Sequence, residues 1–300
     1  MKKHHPSKLI SYICGGIGNQ LFCYAAARRL ALVNNAELVT DHISYFASDQ
    51  RYQRCYQLDH FSIPCRKATA AERLEPFERS RRWLKRRLNA RRPFEQRSYL
   101  CQEGIDFDPR LLNVKVNGVL HLEGYWQSEG YFKDVENIIR QDLRIQPPVD
   151  AANRMLWENI TKTQAIAIHV RFFDPPNMAA HNNASGGYYA RAVARMEALI
   201  ADGHYFIFSD QPAAARSFVP LPDERVTLVH YNQSDAMAYA DLWLMSQCRH
   251  FIIANSTFSW WGAWLSAHED KQVIAPGFEK RSGASAWGFK GLFPPSWRVM

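Results

Sequence analysis

The most distinctive polar residues of the sequence lie where a short apolar stretch, 251–254, gives way to a tryptophan-rich one. Between them stand Asn255, Ser256, Thr257 and Ser259. A strand that turns into a helix here leaves the first helical N–H groups without internal partners, at the positive end of the helix dipole. Such a helix start binds anions, and these side chains add hydrogen-bond donors. An N-cap without any ligand is the alternative interpretation.

A second group of reactive side chains closes the apolar stretch 166–170. His169 and Arg171 are two positions apart, so in a strand their side chains point to the same face. A guanidinium held there can make two charge-assisted hydrogen bonds to a phosphate. Asp174 follows three residues later. The pattern indicates a phosphate contact, although an ordinary buried ion pair would also explain it.

Two carboxylates complete the set in the second half of the chain. One apolar strand ends on Ser209 and Asp210, and Asp241 interrupts an otherwise apolar helical stretch. Asp241 could accept hydrogen bonds from the N1–H and amino group of guanine, or it could cap a helix or form a salt bridge. Together with Arg171 and the polar helix start, these residues fit a nucleoside diphosphate better than a lone phosphate.

The glycine-rich turn 15–18 follows the first predicted strand and imitates a dinucleotide-binding fingerprint, with Asp41 at the end of the second strand. That fingerprint requires a third glycine where Leu21 stands. Asn19 and Gln20 instead place amides at the helix start, suited to hydroxyls or to a pyrophosphate oxygen. An NAD-dependent oxidoreductase that uses this turn is therefore an alternative function, and a purely structural turn is another.

Strands and helices alternate in both halves of the chain, which predicts two doubly wound α/β domains with ligands at the carboxyl ends of their strands. The first domain, 1–148, opens with a β-α-β unit and carries an irregular basic insert at about 50–106. The proline-rich stretch 146–150 marks the change to the second domain, 149–300. Strands are predicted at 10–14, 37–41, 119–123, 165–170, 205–209, 226–230, 251–254 and 272–275. Helices are predicted at 19–34, 128–143, 151–159, 188–200, 235–247 and from about 257.

The net charge of +8 is concentrated in one segment of the 300 residues. Arg79–Arg97 contains nine basic residues and one acidic residue, and the rest of the chain is balanced. Trp83, Leu84 and Leu88 fall on one helical face, which is typical of a basic amphipathic helix near anionic membrane lipid or a phosphorylated lipid acceptor. A solvated surface helix is the alternative. Nucleic-acid binding is not expected, because no nucleic-acid module accompanies the segment.

Targeting and metal signals are weak. The stretch 9–14 is too short for a signal-peptide core, so we expect a cytoplasmic protein, in solution or peripheral at the inner face of the membrane. The six cysteines lack C-x-x-C spacing, and no metal or cofactor is expected. Asp106-Phe-Asp108 imitates a manganese-binding D-x-D motif, but capping a helix that starts at Pro109 is the simpler role.

The chain resembles glycosyltransferase family 11, the α-1,2-fucosyltransferases, of the bacterial type. The motifs that carry this resemblance are Ile13–Ala25, Gly124–Phe132, Ile168–Arg171, Phe208–Asp210 and Asp241–Leu265. The resemblance implies a GT-B-like fold, with two Rossmann-like domains facing a cleft. It also implies metal-independent, inverting transfer of fucose from GDP-β-L-fucose. The implied acceptor is the 2-hydroxyl of a terminal β-galactose, on an oligosaccharide or an O-antigen-type glycan.

The resemblance also implies roles for particular residues. Arg171 would hold the β-phosphate, His169 and Asp241 would lie by the guanosine, and Asn19 would approach the donor phosphate or the acceptor from the other domain. The predicted donor-binding residues are His169, Arg171, Ser209, Asp210, Asp241, Asn255, Ser256, Thr257 and Ser259. The predicted catalytic residues are Arg171, Asp174 and Asn19.

Two points remain open at this stage. Asp174 is the first candidate for a general base and Glu123 the second, and late proton transfer without a dedicated protein base is a further alternative. Phe172 replaces the second of two consecutive arginines usual in the family, so any role of that charge is absent or supplied elsewhere. A non-catalytic glycan- or membrane-binding protein is the remaining alternative function, since it would use the basic helix and the aromatic residues.

Overall fold

The computed structural model describes residues 7–175 and 182–300. The chain forms two compact units. The first comprises Met1–Arg144 with Lys290–Leu292, and the second comprises Ile145–Phe289 with Phe293–Met300. The predicted domains, 1–148 and 149–300, differ from these units at residues 145–148 and 290–292.

Backbone contacts explain why residues 290–292 belong to the first unit. The Phe107 N–H donates to the Lys290 carbonyl at 2.9 Å, and the Lys290 N–H donates to Asp106 Oδ1 at 3.0 Å. A Cβ on Gly291 would lie 2.5 Å from the Phe107 side chain, so only glycine fits this close approach. Long-range contacts of this kind have no signature in the local sequence.

The first unit is built on a five-stranded parallel sheet in the order β3-β2-β1-β5-β4. Its central strands are apolar and buried because helices and loops cover both faces of a parallel sheet. The strands are β1 Lys8–Tyr12, β2 Glu37–Asp41, β3 Arg66–Lys67, β4 Tyr99–Cys101 and β5 Val119–Glu123. The helices are α1 Ile17–Val33, α2 Glu78–Asn89 and α3 Glu136–Asp142.

The second unit is built on a six-stranded parallel sheet in the order β11-β10-β9-β6-β7-β8. The strands are β6 Gln164–Val170, β7 Gly203–Ser209, β8 Val226–Val229, β9 His250–Ile252, β10 Val273–Ala275 and β11 Arg298–Val299. The helices are α4 Ala151–Thr161, α5 Gly186–Glu197, α6 Pro212–Arg216, α7 Ala238–Gln247 and α8 Thr257–Leu265. This is the doubly wound Rossmann order, in which the chain direction across the sheet reverses between β6 and β9.

The core of the second unit orders the carboxyl edge of its sheet. Tyr188 donates its hydroxyl to the carbonyls of Ile253 and Ile274, at 2.8 and 3.0 Å, and Tyr189 donates to the carbonyl of His169 at 2.9 Å. Behind that edge, α8 is buried almost all round, and its tryptophans stack on each other and on Trp297. The strand ends that carry the predicted site are therefore fixed by packing from α5 and α8.

Two sequence predictions about the elements are wrong. The helix predicted at 128–143 is broken into two 3₁₀ turns, Glu129–Tyr131 and Lys133–Val135, before α3. Phe132, with φ −144° and ψ 7°, lies outside the helical region and separates the two turns. The insert at about 50–106, predicted to be irregular apart from a helix in its basic segment, contains the strands β3 and β4 in addition to α2. Every helix in the described ranges is too short or too polar to cross a bilayer.

Candidate functional site

The predicted donor site lies at the carboxyl edge of the sheet of the second unit. Arg171 follows β6, Asp210 follows β7, and the segment Asn255–Ser256 joins β9 to α8. Because β6 and β9 are the neighbours at which the sheet reverses direction, their carboxyl ends flank the crevice where doubly wound folds bind ligands. The fold thus brings the predicted phosphate-binding residues to one edge.

Arg171 is held by a carboxylate and remains partly open to solvent. Its Nη1 lies 3.1 Å from Asp210 Oδ2, and both side chains are 28% exposed. The other oxygen of Asp210 accepts the backbone N–H of Phe172 at 3.1 Å. The guanidinium also lies over the Phe173 ring, 5.4 Å from its centroid. Asp210 therefore orients the guanidinium, and a carboxylate in that position is better suited to this than to direct contact with a phosphate.

His169 is linked to the start of α8. Its Nδ1 lies 2.9 Å from the Ser259 hydroxyl, which also approaches the Ser256 carbonyl at 3.3 Å. The Phe258 ring packs on the imidazole at 5.3 Å. Burial, together with the nearby Arg171 charge, lowers the pKa of His169 to about 3. The imidazole is therefore neutral at physiological pH and positions Ser259 without adding positive charge.

The start of α8 has the predicted cap. Ser256 has extended backbone angles, and its Oγ accepts the Phe258 N–H at 3.3 Å, while Thr257 begins the helix. Because α8 begins just after the carboxyl end of β9, its first N–H groups lie at the same edge of the sheet as Arg171. Ser209, by contrast, uses its Oγ to accept the Gln211 N–H at 3.0 Å. That contact is local to the turn after β7.

Asn255 joins this helix start to a second loop. The side chain is 2% exposed, and its Nδ2 donates to the Asn182 carbonyl at 2.8 Å. Its Oδ1 is buried and accepts no hydrogen bond from residues 7–175 or 182–300. A buried carbonyl oxygen without a donor costs about 1–3 kcal/mol. It is therefore an acceptor suited to a donor group of a ligand.

Asp174 fastens the loop that follows β6. Its two oxygens accept from Asn182, at 2.9 Å from the backbone N–H and 2.6 Å from Nδ2. Asn183 accepts the N–H groups of Phe173 and Asp174 at 2.6 and 3.1 Å. Lys280 and Ser285 both donate to Asn182 Oδ1. Asp174, predicted as a catalytic residue, thus has a clear loop-positioning role in the structure.

Phe172 fills the position at which the family usually has a second arginine, and it does so as a core residue. Its side chain is 6% exposed and belongs to the apolar core of the second unit. The ring packs on Phe218 at 5.6 Å, and Phe218 stacks on Tyr189. Position 172 therefore points away from solvent in this chain. A second positive charge does reach this loop, because Lys280 donates to Asn182 Oδ1.

Asp241 lies in the first turn of α7 and belongs to a chain of buried amides. Its Oδ1 accepts from Asn232 Nδ2 at 2.7 Å, and Asn232 exchanges hydrogen bonds with Asn153 at 2.9 and 3.1 Å. Asn153 in turn binds Asp150 at the start of α4. Burial raises the pKa of Asp241 to about 7, partly offset by the Asn232 hydrogen bond. A carboxylate poised in this way can exchange a hydrogen bond with a nucleobase.

Asn19 is the predicted catalytic residue of the first unit, and its neighbour Gln20 is structural. Gln127 Nε2 donates to Asn19 Oδ1 at 2.8 Å. Gln20 is fully buried, and its Nε2 donates to the carbonyls of Gly15 and Cys55, at 3.0 and 2.8 Å. Both amide hydrogens of Gln20 are thereby used. The interpretation of Gln20 as a contact for hydroxyls or pyrophosphate is wrong.

The acid at the end of β2 is not available to a ribose. Asp41 is completely buried, it forms an ion pair with Arg82, and its Oδ1 accepts the N–H groups of Ile43 and Ser44 at 3.3 and 3.0 Å. The Arg82 guanidinium also lies 4.6 Å from the centroid of the Tyr12 ring. A dinucleotide fingerprint needs this acid free to bind the ribose hydroxyls. The geometry therefore does not favour the NAD-dependent alternative.

Glu123, the second candidate base, has several partners at the carboxyl end of β5. Arg86 binds both of its oxygens, and Tyr99 donates its hydroxyl to Oε2 at 2.6 Å. Cys101 Sγ lies 3.8 Å from the same oxygen. All of these partners donate to the carboxylate, so the oxygens of Glu123 are already occupied in this structure.

The Asp106-Phe-Asp108 motif is used for capping, as the sequence suggested. Asp108 accepts the Arg110 N–H at 3.0 Å and caps the 3₁₀ helix Pro109–Asn113, which has proline at its first position. Asp106 is bound by the Lys290 N–H. Across residues 7–175 and 182–300, no three His, Cys, Asp or Glu side chains are grouped to hold a metal ion.

Sequence reasoning missed the asparagines that organise this site. Asn182 connects Asp174 to Asn255, and Asn232 connects Asp241 to Asn153. Asn153 and Asn232 are separated by 79 positions, so neither spacing nor periodicity could pair them. The one signal in the sequence that could have indicated them is the presence of asparagines close to the predicted strand ends.

The chain is similar to two curated proteins of Escherichia coli. It is 26% identical over 277 residues to an alpha-1,2-colitosyltransferase, covering 90% of this chain and 91% of that protein. It is 28% identical over 290 residues to the O-antigen biosynthesis glycosyltransferase WbnK, covering 89% of this chain and 93% of that protein.

Solved structures share its fold at low identity. The NodZ alpha-1,6-fucosyltransferase from Bradyrhizobium, soaked with GDP-fucose, matches with a TM-score of 0.54 at 16% identity, over 87% of this chain and 93% of that one. FUT1 of Arabidopsis thaliana, in complex with GDP, matches with a TM-score of 0.54 at 12% identity, over 94% and 72%. These likenesses show the predicted α/β, GT-B-like two-domain fold. Residues 10–290 match glycosyl transferase family 11. Since this match spans most of the chain, the protein is a glycosyltransferase that belongs to glycosyl transferase family 11.

Proposed function

We propose that the protein transfers L-fucose from GDP-β-L-fucose to the 2-hydroxyl of a terminal β-galactose, with inversion and without a metal ion. The observation that carries this proposal is that Arg171 and the start of α8 follow the two strands at the reversal point of a Rossmann sheet, while Asp241 lies in the first turn of α7, which packs against α8. A guanidinium and helix amides suit a diphosphate, and a buried carboxylate suits a guanine edge. NodZ and FUT1, which share the fold, were solved with GDP-fucose and GDP.

The chemistry asked of the protein is mainly stabilisation of the leaving group. Glycosyl transfer passes through an oxocarbenium-like transition state, and negative charge develops on the departing diphosphate. In the proposed mechanism Arg171 and the N–H groups of α8 neutralise that charge. His169 is neutral and keeps the Ser259 hydroxyl in place. Asp210 keeps the guanidinium oriented before the donor arrives.

Removal of the acceptor proton is assigned to Asp174 rather than Glu123. Glu123 is bound on both oxygens by Arg86 and also by Tyr99. Asp174 accepts hydrogen bonds from the amide groups of Asn182, and it lies three residues after Arg171 in the loop that follows β6. Replacement by asparagine separates the roles: loss of a base removes the acidic limb of the pH–rate profile, whereas loss of loop positioning changes the KM for the donor.

The acceptor class rests on the named relatives. One is a glycosyltransferase of O-antigen biosynthesis, and the other forms an alpha-1,2 linkage according to its name. We therefore propose an O-antigen-type or related oligosaccharide that ends in β-galactose, and a cytoplasmic enzyme that acts in solution or at the inner face of the membrane. Asn19 in the first unit is proposed to contact the acceptor or the donor phosphate.

A donor and acceptor panel tests the proposal. Purified protein is incubated with GDP-fucose and several β-galactosides, and GDP release and the product linkage are measured by NMR. We expect fucosylation at the 2-hydroxyl, and Arg171→Ala is expected to lower it on the order of 100-fold or more while the fold is retained. GDP-colitose is included because one relative is a colitosyltransferase. A clear preference for it would revise the donor sugar, and binding of reduced nicotinamide without GDP affinity would reject glycosyl transfer from this site.

A further inference from the structure

The helix α2, Glu78–Asn89, buries polar side chains and exposes apolar ones, which is the reverse of an ordinary surface helix. Its buried residues are polar: Arg82 and Asn89 are 6% and 5% exposed. Its large apolar side chains face solvent, with Trp83 57%, Leu84 50% and Leu88 53% exposed. Phe77, just before the helix, is 74% exposed. A surface helix normally buries its apolar stripe, so this arrangement leaves an apolar face without a partner.

The inverted orientation is fixed by the polar contacts on the buried side. Arg82 pairs with Asp41, and its Nη1 lies 3.3 Å from the Tyr99 hydroxyl. Asn89 Oδ1 accepts the N–H groups of Ser98 and Tyr99 at 2.8 and 3.3 Å. Rotating the helix to bury its apolar side would leave the Asp41 charge unpaired in the core, which is strongly unfavourable. The exposed apolar face is therefore a stable feature.

Unpaired basic residues surround this apolar face. Arg86 and Arg97 are neutralised by Glu123 and Glu103. No carboxylate partner in the described ranges accompanies the exposed bases Arg79, Arg81, Arg87, Arg91 and Arg92. The Arg87 guanidinium lies over the Trp83 ring at 5.3 Å. We call this surface the α2 face, defined by Phe77, Trp83, Leu84 and Leu88 together with Arg79, Arg81 and Arg87.

We propose that the α2 face docks on an anionic lipid bilayer. Tryptophan, phenylalanine and leucine insert at the boundary between headgroups and acyl chains, while the surrounding arginines are attracted to acidic headgroups. The charge complementarity selects a negatively charged surface, and the exposed aromatic and aliphatic side chains select one with an apolar interior. This inference does not depend on the sugar donor or the acceptor, since it concerns a surface of the first unit alone.

Vesicle co-sedimentation of the full-length protein tests the proposal. Vesicles of phosphatidylcholine with about one third phosphatidylglycerol are compared with phosphatidylcholine alone, at about 0.1 M salt. We expect at least about tenfold tighter binding to the acidic vesicles, weakened by added salt. The double variant Arg79→Glu with Arg87→Glu is expected to weaken binding on the order of 100-fold, because two attractive charges become repulsive. Trp83→Ser with Leu88→Ser is expected to weaken it about tenfold or more.

Exposed residues that are not part of the α2 face serve as matched controls. Lys115→Glu reverses an exposed base, and Met155→Ser removes a side chain that is 66% exposed on α4; neither is expected to change vesicle binding. Arg86 is left intact, because its ion pair with Glu123 makes it a structural residue. Equal binding to neutral vesicles, or unchanged binding of the α2 variants, would overturn the proposal. A lipid-free dimer that Trp83→Ser dissociates would overturn it in favour of self-association.

Discussion

The ion pair of Arg171 and Asp210 permits a decisive test of how the donor site works. If Arg171 stabilises the leaving diphosphate and Asp210 only orients it, the two residues form one functional unit. Arg171→Gln should then lower kcat/KM strongly, and Asp210→Asn modestly. In the Arg171→Gln background, Asp210→Asn should have no further effect, because there is no guanidinium left to orient.

The size of the effect follows from the geometry. Both side chains are 28% exposed, so an effective dielectric constant of about 20 is appropriate. A unit charge about 4 Å from the guanidinium then gains about 4 kcal/mol. Asp210 and solvent already compensate part of the positive charge, which leaves about 3 kcal/mol, or on the order of 100-fold in rate. Loss of the partly exposed ion pair alone is expected to cost about 0.5–1 kcal/mol, two- to fivefold in rate.

The assay is steady-state GDP release with GDP-fucose and the preferred galactoside, for the wild type, the two single variants and the double variant. Unfolding midpoints of all four proteins are measured in parallel as the control for folding. The reasoning is refuted if Arg171→Gln keeps more than about one third of wild-type kcat/KM. It is equally refuted if Asp210→Asn lowers activity to the same degree with and without Arg171, since that would mean a separate role for the carboxylate.

Three further predictions use the same structure. Because the pKa of Asp241 is raised from 3.8 to about 7, the folded state holds a proton that the unfolded state releases, so this residue should reduce stability as pH rises from about 4 to 7. Asp241→Asn is therefore expected to raise the unfolding temperature relative to the wild type, and to raise it more at pH 8 than at pH 5. The variant is also expected to lack the increase in GDP affinity that the wild type should show as pH rises through 7. An equal change in unfolding temperature at both pH values would contradict this. Arg82→Leu leaves Asp41 buried without its partner, so urea unfolding is expected to show a loss of about 3–5 kcal/mol in the free energy of unfolding. Arg79→Ala, at an exposed position, is expected to lose less than about 0.5 kcal/mol. Equal losses would refute the stabilising role of the buried Arg82 side chain. Transfer activity is expected to persist in excess chelator, and complete loss restored by manganese would reject the metal-free mechanism.

The sequence was informative where burial on both faces produces continuous apolar runs. The strands at 37–41 and 119–123 were predicted with the bounds that the structure has, and the first strand was placed two residues late. Parallel strands covered by helices are apolar throughout, so they stand out between polar turns. The same reasoning placed Arg171 and Asp210 at the ends of two strands, and the structure shows that these strands are neighbours and that the two side chains form an ion pair.

The sequence was uninformative where contacts are long-range or where polarity is inverted. The amide network that links Asp241 to α4 depends on two asparagines far apart in the chain. Nothing in the local sequence shows that Arg82 faces inward, because its partner Asp41 lies 41 positions earlier. One continuous helix was predicted at 128–143, but Phe132 adopts a non-helical conformation and Phe107 packs closely on Gly130, contacts that the local sequence does not show.

The buried amide of Gln20 sets a rule for exchanging parts between related enzymes. This side chain connects the glycine turn to the backbone at residues 55–57. It donates to the carbonyls of Gly15 and Cys55 and accepts the Gln57 N–H at 2.9 Å. A chimaera that borrows the 50–106 segment from a relative must therefore keep its backbone in register at positions 55 and 57. A single-residue insertion just before residue 55 is expected to break these hydrogen bonds to Gln20. Changes of length after residue 60 are expected to leave them intact.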